Sequence, residues 1–142
     1  MKYNGGMNKD MLTQTTLTHY PDVQAIYLFG SHGTNDEWAD SDVDIALLLP
    51  HATAKQNNYL SQTDLQWELE RLLGKQVDLI NLRQVSTVFR KEIVMADRRI
   101  FCADNYAADE FEMLTISFYL KLNEERAGIL AAGLQSGSFY TV

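Results

Sequence analysis

Three carboxylates and a glycine–serine pair carry the chemistry this sequence can offer. Asp42 and Asp44 stand two residues apart at the head of an apolar run, DVDIALLL. Asp78 opens a second such run, directly after Val77. Side chains on a strand alternate between faces, so Asp42 and Asp44 point the same way. Carboxylates crowded together resist ionising unless a cation neutralises them. Oxygen-only ligands suit Mg2+, or Mn2+, rather than zinc. Two such ions about 3.5–4 Å apart can clamp the attacking and leaving oxygens of a phosphoryl displacement. Gly30-Ser31 supplies the complementary half. A glycine lets backbone N–H groups approach a phosphate closely, and a serine hydroxyl adds a hydrogen bond.

These residues meet only if the elements around them run in the right directions. Residues 8–19 read as a short helix, stopped by Tyr20-Pro21-Asp22. Residues 24–29 are β-branched and aromatic and read as a buried strand. A polar, glycine-containing connection over 30–41 leads to a second strand at 42–49, closed by Pro50. The pattern predicts one helix over 55–73, with Leu65, Leu69, Leu72 and Leu73 as its apolar stripe, Trp67 beside it and Gly74 as C-cap. A third strand follows at 77–82, then a helix at 87–97 capped by Ser86 or Thr87, and an edge strand at 99–103. A long proline-free helix runs from 104 to about 132, and the chain frays from Gly133. If the first two strands pair antiparallel, Gly30-Ser31 and the Asp42/Asp44 pair share one edge of the sheet. Asp78 joins them if the third strand runs parallel to the second, and the helix before it supplies the crossover that a parallel pair needs.

Composition sets the frame. The chain has 142 residues, 46% hydrophobic and 22% charged, enough for one globular core and little more. The expectation is one α/β domain over 1–142: a small mixed β-sheet flanked by helices, with a core over about 8–103 and a long C-terminal helix. Lys and Arg number 12 against 19 Asp and Glu, a net charge of −7. That balance argues against a basic footprint for duplex nucleic acid. It does not bar a single nucleotide, since a divalent cation can bridge carboxylates to phosphates. The lone cysteine, Cys102, makes neither an internal disulfide nor a Cys-based zinc site, and suits a reducing, cytoplasmic setting. The longest apolar runs are too short to cross a bilayer. No secretory signal is visible, and either Met1 or Met7 can serve as the start.

Gly30-Ser31, ten residues, then Asp42-Val43-Asp44 matches the GS-x10-DxD signature of the DNA polymerase beta nucleotidyltransferase superfamily. A GS or a DxD alone would be noise; the spacing, the flanking strands and Asp78 make the joint pattern specific. The match runs from about Tyr20 to Asp78, and the chain resembles the smallest branch, the minimal nucleotidyltransferases. The resemblance implies a nucleotidyltransferase fold and transfer of a nucleoside monophosphate from a triphosphate, ATP being the expected donor. It places Gly30 and Ser31 on phosphate, Asp42 and Asp44 on two Mg2+ ions, and Asp78 as third ligand and helper in deprotonating the acceptor. Many relatives carry Ala-Arg-Gly soon after the serine. This chain reads His32-Gly33-Thr34-Asn35, so a phosphate-contacting arginine is absent at Thr34.

The C-terminal half, with Val85-Ser86-Thr87-Val88 and Thr115-Ile116-Ser117-Phe118-Tyr119, is similar to a subgroup of antitoxins. Those antitoxins inactivate a HEPN-domain ribonuclease toxin by adding AMP to one of its tyrosines. The resemblance thus implies a HEPN toxin as partner. An antibiotic-type enzyme acting on a small molecule, and a non-catalytic antitoxin that only sequesters the toxin, are the alternatives. The small size and the absence of a substrate domain favour the first reading.

Other residues have plainer roles beside sharper ones. His32 is a loop histidine that can touch a phosphate; Lys75, Arg83, Arg90 and Lys91 are surface cations that can offset triphosphate charge. Trp38 can pack or stack on a base. On the long helix, Phe111, Leu114, Phe118 and Leu122 form one stripe and Met113, Ile116 and Leu120 a second. The plain expectation buries both in the core; the sharper one buries one and leaves the other for a partner or a second copy of the chain. Cys102 is expected as a small buried hydrophobe on an edge strand.

Overall fold

In a computed structural model, which describes residues 9–30, 42–57, 60 and 63–136, four short apolar segments pair into one sheet. The strands are β1 (Ala25–Phe29), β2 (Val43–Leu48), β3 (Val77–Asn81) and β4 (Arg99–Cys102), in the order β3-β2-β1-β4. β1 lies antiparallel to both β2 and β4, and β2 lies parallel to β3. The edge position expected for the last strand holds.

Both faces of the sheet are covered, which is why the strands read as unbroken apolar runs. On one face Ile26, Leu28, Val43, Ile45, Leu47, Val77 and Leu79 pack with Leu12 of α1 (Lys9–His19) and with Leu65 and Leu69 of α3 (Asp64–Leu73). On the other face Ala25, Tyr27, Ala46 and Leu48 pack with Ile93 of α4 (Thr87–Met95) and with Ala108 and Phe111 of α5 (Asn105–Ser136). Tyr27 adds a polar tie across that second layer. Its hydroxyl donates to Glu112 at 2.6 Å, and Arg99 of β4 donates to the same carboxylate at 2.9 Å. Burial, then the Glu112 carboxylate, push the phenol well above its ordinary pKa, so it stays a donor.

The parallel β2–β3 pair has its crossover, but not as the single helix that the pattern predicts. α2 (His51–Gln56) ends at Asn57, and α3 starts afresh after Thr63, whose side chain accepts from the Gln66 N–H at 3.3 Å. Asparagine and threonine side chains compete for backbone hydrogen bonds and favour helix ends over interiors, and Asn57 closes α2. Gly74 closes α3 in the left-handed region, as expected of a C-cap. A 3-10 turn over Leu82–Gln84 follows β3, and Ser86 caps α4 by accepting from the Phe89 N–H.

α5 corrects two expectations. It does not fray at Gly133 but continues to Ser136. A glycine inside a helix costs about 1 kcal/mol against alanine, too little to stop a run of good helix formers. Nor are its two apolar stripes buried together: the inward line is Ala108, Phe111 and Thr115, while Met113, Leu114, Phe118 and Leu120 stand exposed. Every residue from 123 to 132 is exposed. Cys102 is half-buried on β4 rather than fully enclosed. No described helix is long and apolar enough to cross a membrane.

Candidate active site

The register of three strands builds the site. Phe29, the last residue of β1, pairs with Asp44 on β2, and Asp44 pairs with Asp78 on β3. The three form one row across the sheet, with neighbouring strands about 4.8 Å apart. Gly30 follows the end of β1, and Asp42 lies just before β2. Four of the five residues singled out from sequence therefore share one rim. The fifth, Ser31, lies outside the described residues, as do His32, Thr34, Asn35 and Trp38.

Gly30 is a glycine for two physical reasons. Its φ is +76°, a region that costs other residues. A Cβ there would also run into the Asp44 carboxylate, with Cγ only 3.0 Å away. The turn after β1 and the acid on β2 are thus in direct contact. T-shaped packing of Phe29 on Phe89 of α4, ring centroids 5.5 Å apart, fixes the end of β1 from below.

The acids feel one another. Burial, then Asp78, then Asp42 raise the Asp44 carboxyl from its ordinary 3.8 to about 6, and Arg98 works in the opposite direction. Asp42 and Asp78 are exposed. Among the described residues no three Asp, Glu, His or Cys side chains are gathered tightly enough to enclose an ion. The donor set is nonetheless all oxygen and all anionic, with an acid whose charge is disfavoured by its neighbours. That chemistry fits Mg2+ or Mn2+, which keep waters as part of their shell.

Arg98 is the residue that sequence reasoning missed. It precedes β4, and its guanidinium donates to the Gly30 carbonyl at 2.8 Å. It holds the glycine turn and offsets the charge on Asp44. Its sequence signal was only an arginine pair ahead of a short edge strand; the pairing of β4 with β1 brings it to the rim. Three of the cations considered for triphosphate lie elsewhere. Arg83 donates to the Leu49 carbonyl and to Gln24, Arg90 donates to the Arg83 carbonyl, and Lys91 pairs with Glu92. Arg83 and Arg90 line a recess of about 460 Å³ where β2 and β3 end, opposite the acids. A smaller recess, about 410 Å³, opens at the acid rim beside Asp42, Asp78 and Trp67.

Comparison with known proteins agrees with this geometry. Residues 13–106 match the family model described as polymerase beta, nucleotidyltransferase. The chain is 31% identical over 125 residues to the protein adenylyltransferase MntA of Shewanella oneidensis, covering 87% of this chain and 86% of that protein. Its fold is similar to a crystal structure of a toxin–antitoxin with AMP-PNP, with a TM-score of 0.67 and 28% identity over 90% of this chain and 99% of the other. It is also similar to a chain from tri-AMPylated Shewanella oneidensis HEPN toxin in complex with MNT antitoxin, with a TM-score of 0.61 and 27% identity over 89% of this chain and 95% of the other. With the family match spanning residues 13–106 and 31% identity to a relative over 87% of its length, the chain belongs to the polymerase beta nucleotidyltransferase family.

Proposed function

We propose that this chain is an antitoxin enzyme that transfers AMP from ATP to a tyrosine of a cognate HEPN ribonuclease toxin in the cytoplasm. The observation that carries the reading is the 31% identity to a protein adenylyltransferase across 87% of the chain. The rim of Gly30, Asp42, Asp44 and Asp78 supports it with the groups such a reaction needs.

In this reading the tyrosine oxygen attacks the α-phosphorus of ATP. The new bond is phosphorus to phenolic oxygen, and the bond to the bridging α–β oxygen breaks. Pyrophosphate leaves with that electron pair, and the phenolic proton passes to Asp78 or to water beside it. A phenol has an ordinary pKa of about 10, so it needs help near neutral pH. Asp42 and Asp44 are the ligands for a pair of Mg2+ ions, with Asp78 completing the set for one of them. Bound Mg2+ supplies Lewis acidity and neutralises phosphate charge. Gly30 and Ser31 receive the β- and γ-phosphates. Arg98 keeps the glycine turn in place from behind.

The test is intact-mass spectrometry of the chain mixed with the product of its neighbouring gene and MgATP, with Asp42→Asn as control. The expected result is a partner heavier by one or more AMP units with the wild type and unchanged with the variant. A stable complex with no mass change would overturn the enzymatic reading in favour of sequestration by binding.

A further inference from the structure

In a displacement at phosphorus the entering and leaving oxygens lie roughly in line, on opposite sides of the transferred group. The rim has a matching order. Gly30 ends β1, Asp44 stands next on β2, and Asp78 follows on β3. Pyrophosphate held at the glycine end leaves toward β1, so the acceptor hydroxyl enters from the β3 side. β3 is an edge strand, and α3, packed on the face beside it, bonds through Gln66 and Glu70 to its Val77 backbone.

Trp67 is what α3 offers there. It is 58% exposed, while Leu65 and Leu69 on either side of it in sequence are buried. It lines the same recess as Asp42 and Asp78. Its helix is locked to the acid-bearing strand: Gln66 donates to the Val77 carbonyl at 2.9 Å, and Glu70 accepts from the Val77 N–H at 3.0 Å. Val77 directly precedes Asp78, so the indole is held in fixed relation to the third acid. Tryptophan, with a large apolar face and few rotatable bonds, is with tyrosine and arginine among the residue types enriched in binding hot spots.

We propose that Trp67 is the docking anchor for the acceptor protein, seating the segment that carries the acceptor hydroxyl on the β3 side of the acids. This rests on the reading above, in which the acceptor is a protein. Of the carboxylates that line the recess, Glu70 stands outside the proposed metal ligands. The segment that fits it brings an apolar or aromatic side chain onto the indole and a Lys or Arg beside it. A cation gains there from both the Glu70 carboxylate and the indole face.

The test is steady-state AMP transfer to the full-length partner protein, comparing wild type, Trp67→Ala and Trp67→Phe after their folding is matched by circular dichroism. The Trp67→Ala enzyme should show an acceptor KM raised about thirtyfold, the equivalent of a hot-spot loss of about 2 kcal/mol. Trp67→Phe should recover part of it, and KM for ATP should stay in place for both. A raised KM for ATP with the acceptor constant unmoved would assign Trp67 to the donor's nucleobase and end the proposal. So would two unchanged constants. A wild type that transfers nothing to the protein defeats the functional reading itself and takes the anchor with it, and the wild-type arm alone tells that failure apart.

Discussion

Asp44→Asn is expected to lower AMP transfer by on the order of a thousandfold or more while leaving a protein at least as stable as the wild type. The two effects share a cause. Asp44 stands in the middle of the row, in register with Phe29 on one side and Asp78 on the other. It is the acid that a Cβ at Gly30 would meet, and the one in register with Asp78. Removing its charge takes away the central anionic group of the proposed metal site, and with it the repulsion that Asp78 and Asp42 impose. Single-turnover transfer measured beside thermal unfolding separates the two. A variant that unfolds at lower temperature would contradict the account of Asp44 as a strained charge.

The stability half of that result depends on pH with a definite sign. The Asp44 carboxyl is raised to about 6 in the folded chain from an ordinary 3.8. The folded state therefore holds the proton more tightly than the unfolded one between those values. Stability is lost as pH rises through that window, and the full penalty is present above it. In metal-free protein, Asp44→Asn should stabilise at pH 8 by about 1 kcal/mol, a figure already discounted for solvent screening of a half-exposed group. Near pH 4, where the wild type has neutralised itself, the gain should vanish. Melting curves in chelator at the two pH values give the comparison.

Gly30→Ala should cost both stability and activity, and Gly74→Ala separates the causes. Both glycines lie at positive φ, +76° and +67°. Each substitution carries the left-handed backbone penalty, about 1 kcal/mol. A Cβ at Gly74 meets nothing within 4 Å, whereas one at Gly30 collides with the Asp44 carboxylate. Moving a reacting group by about 1 Å can cost a hundredfold in rate. Gly30→Ala should therefore lose about a hundredfold in transfer and melt below Gly74→Ala, which should keep its activity. Equal activity in the two variants would show that contact with Asp44 is not what makes Gly30 a glycine.

Much of this architecture was legible in the sequence because each apolar run is bounded by its own stop signal. The first three strands lie within a residue or so of their expected limits, since Pro21, Gly30, Pro50 and Gly74 punctuate them and both faces are buried. The convergence of Gly30, Asp42, Asp44 and Asp78 followed from strand direction alone. Other features depend on contacts that no local pattern encodes. The break between α2 and α3 is set by polar caps inside a stretch whose average reads as helix. Arg98 reaches the rim only through the pairing of β4 with β1, a register that four residues of edge strand do not announce. The stripes on α5 misled because periodicity reports which residues share a face, not whether anything lies beneath that face.

A consequence of the length of α5 concerns time rather than shape. At about 1.5 Å per residue, its 32 residues extend far past the few strands that support its start. The first part, through Phe111 and Thr115, is buried against the sheet. The stretch from 123 to 132 is exposed throughout, and helices without tertiary support are marginal in water. Amide protons along the one rod therefore keep two clocks. Those near Phe111 exchange with solvent only when the whole domain opens, and those past residue 122 exchange each time the free end unwinds.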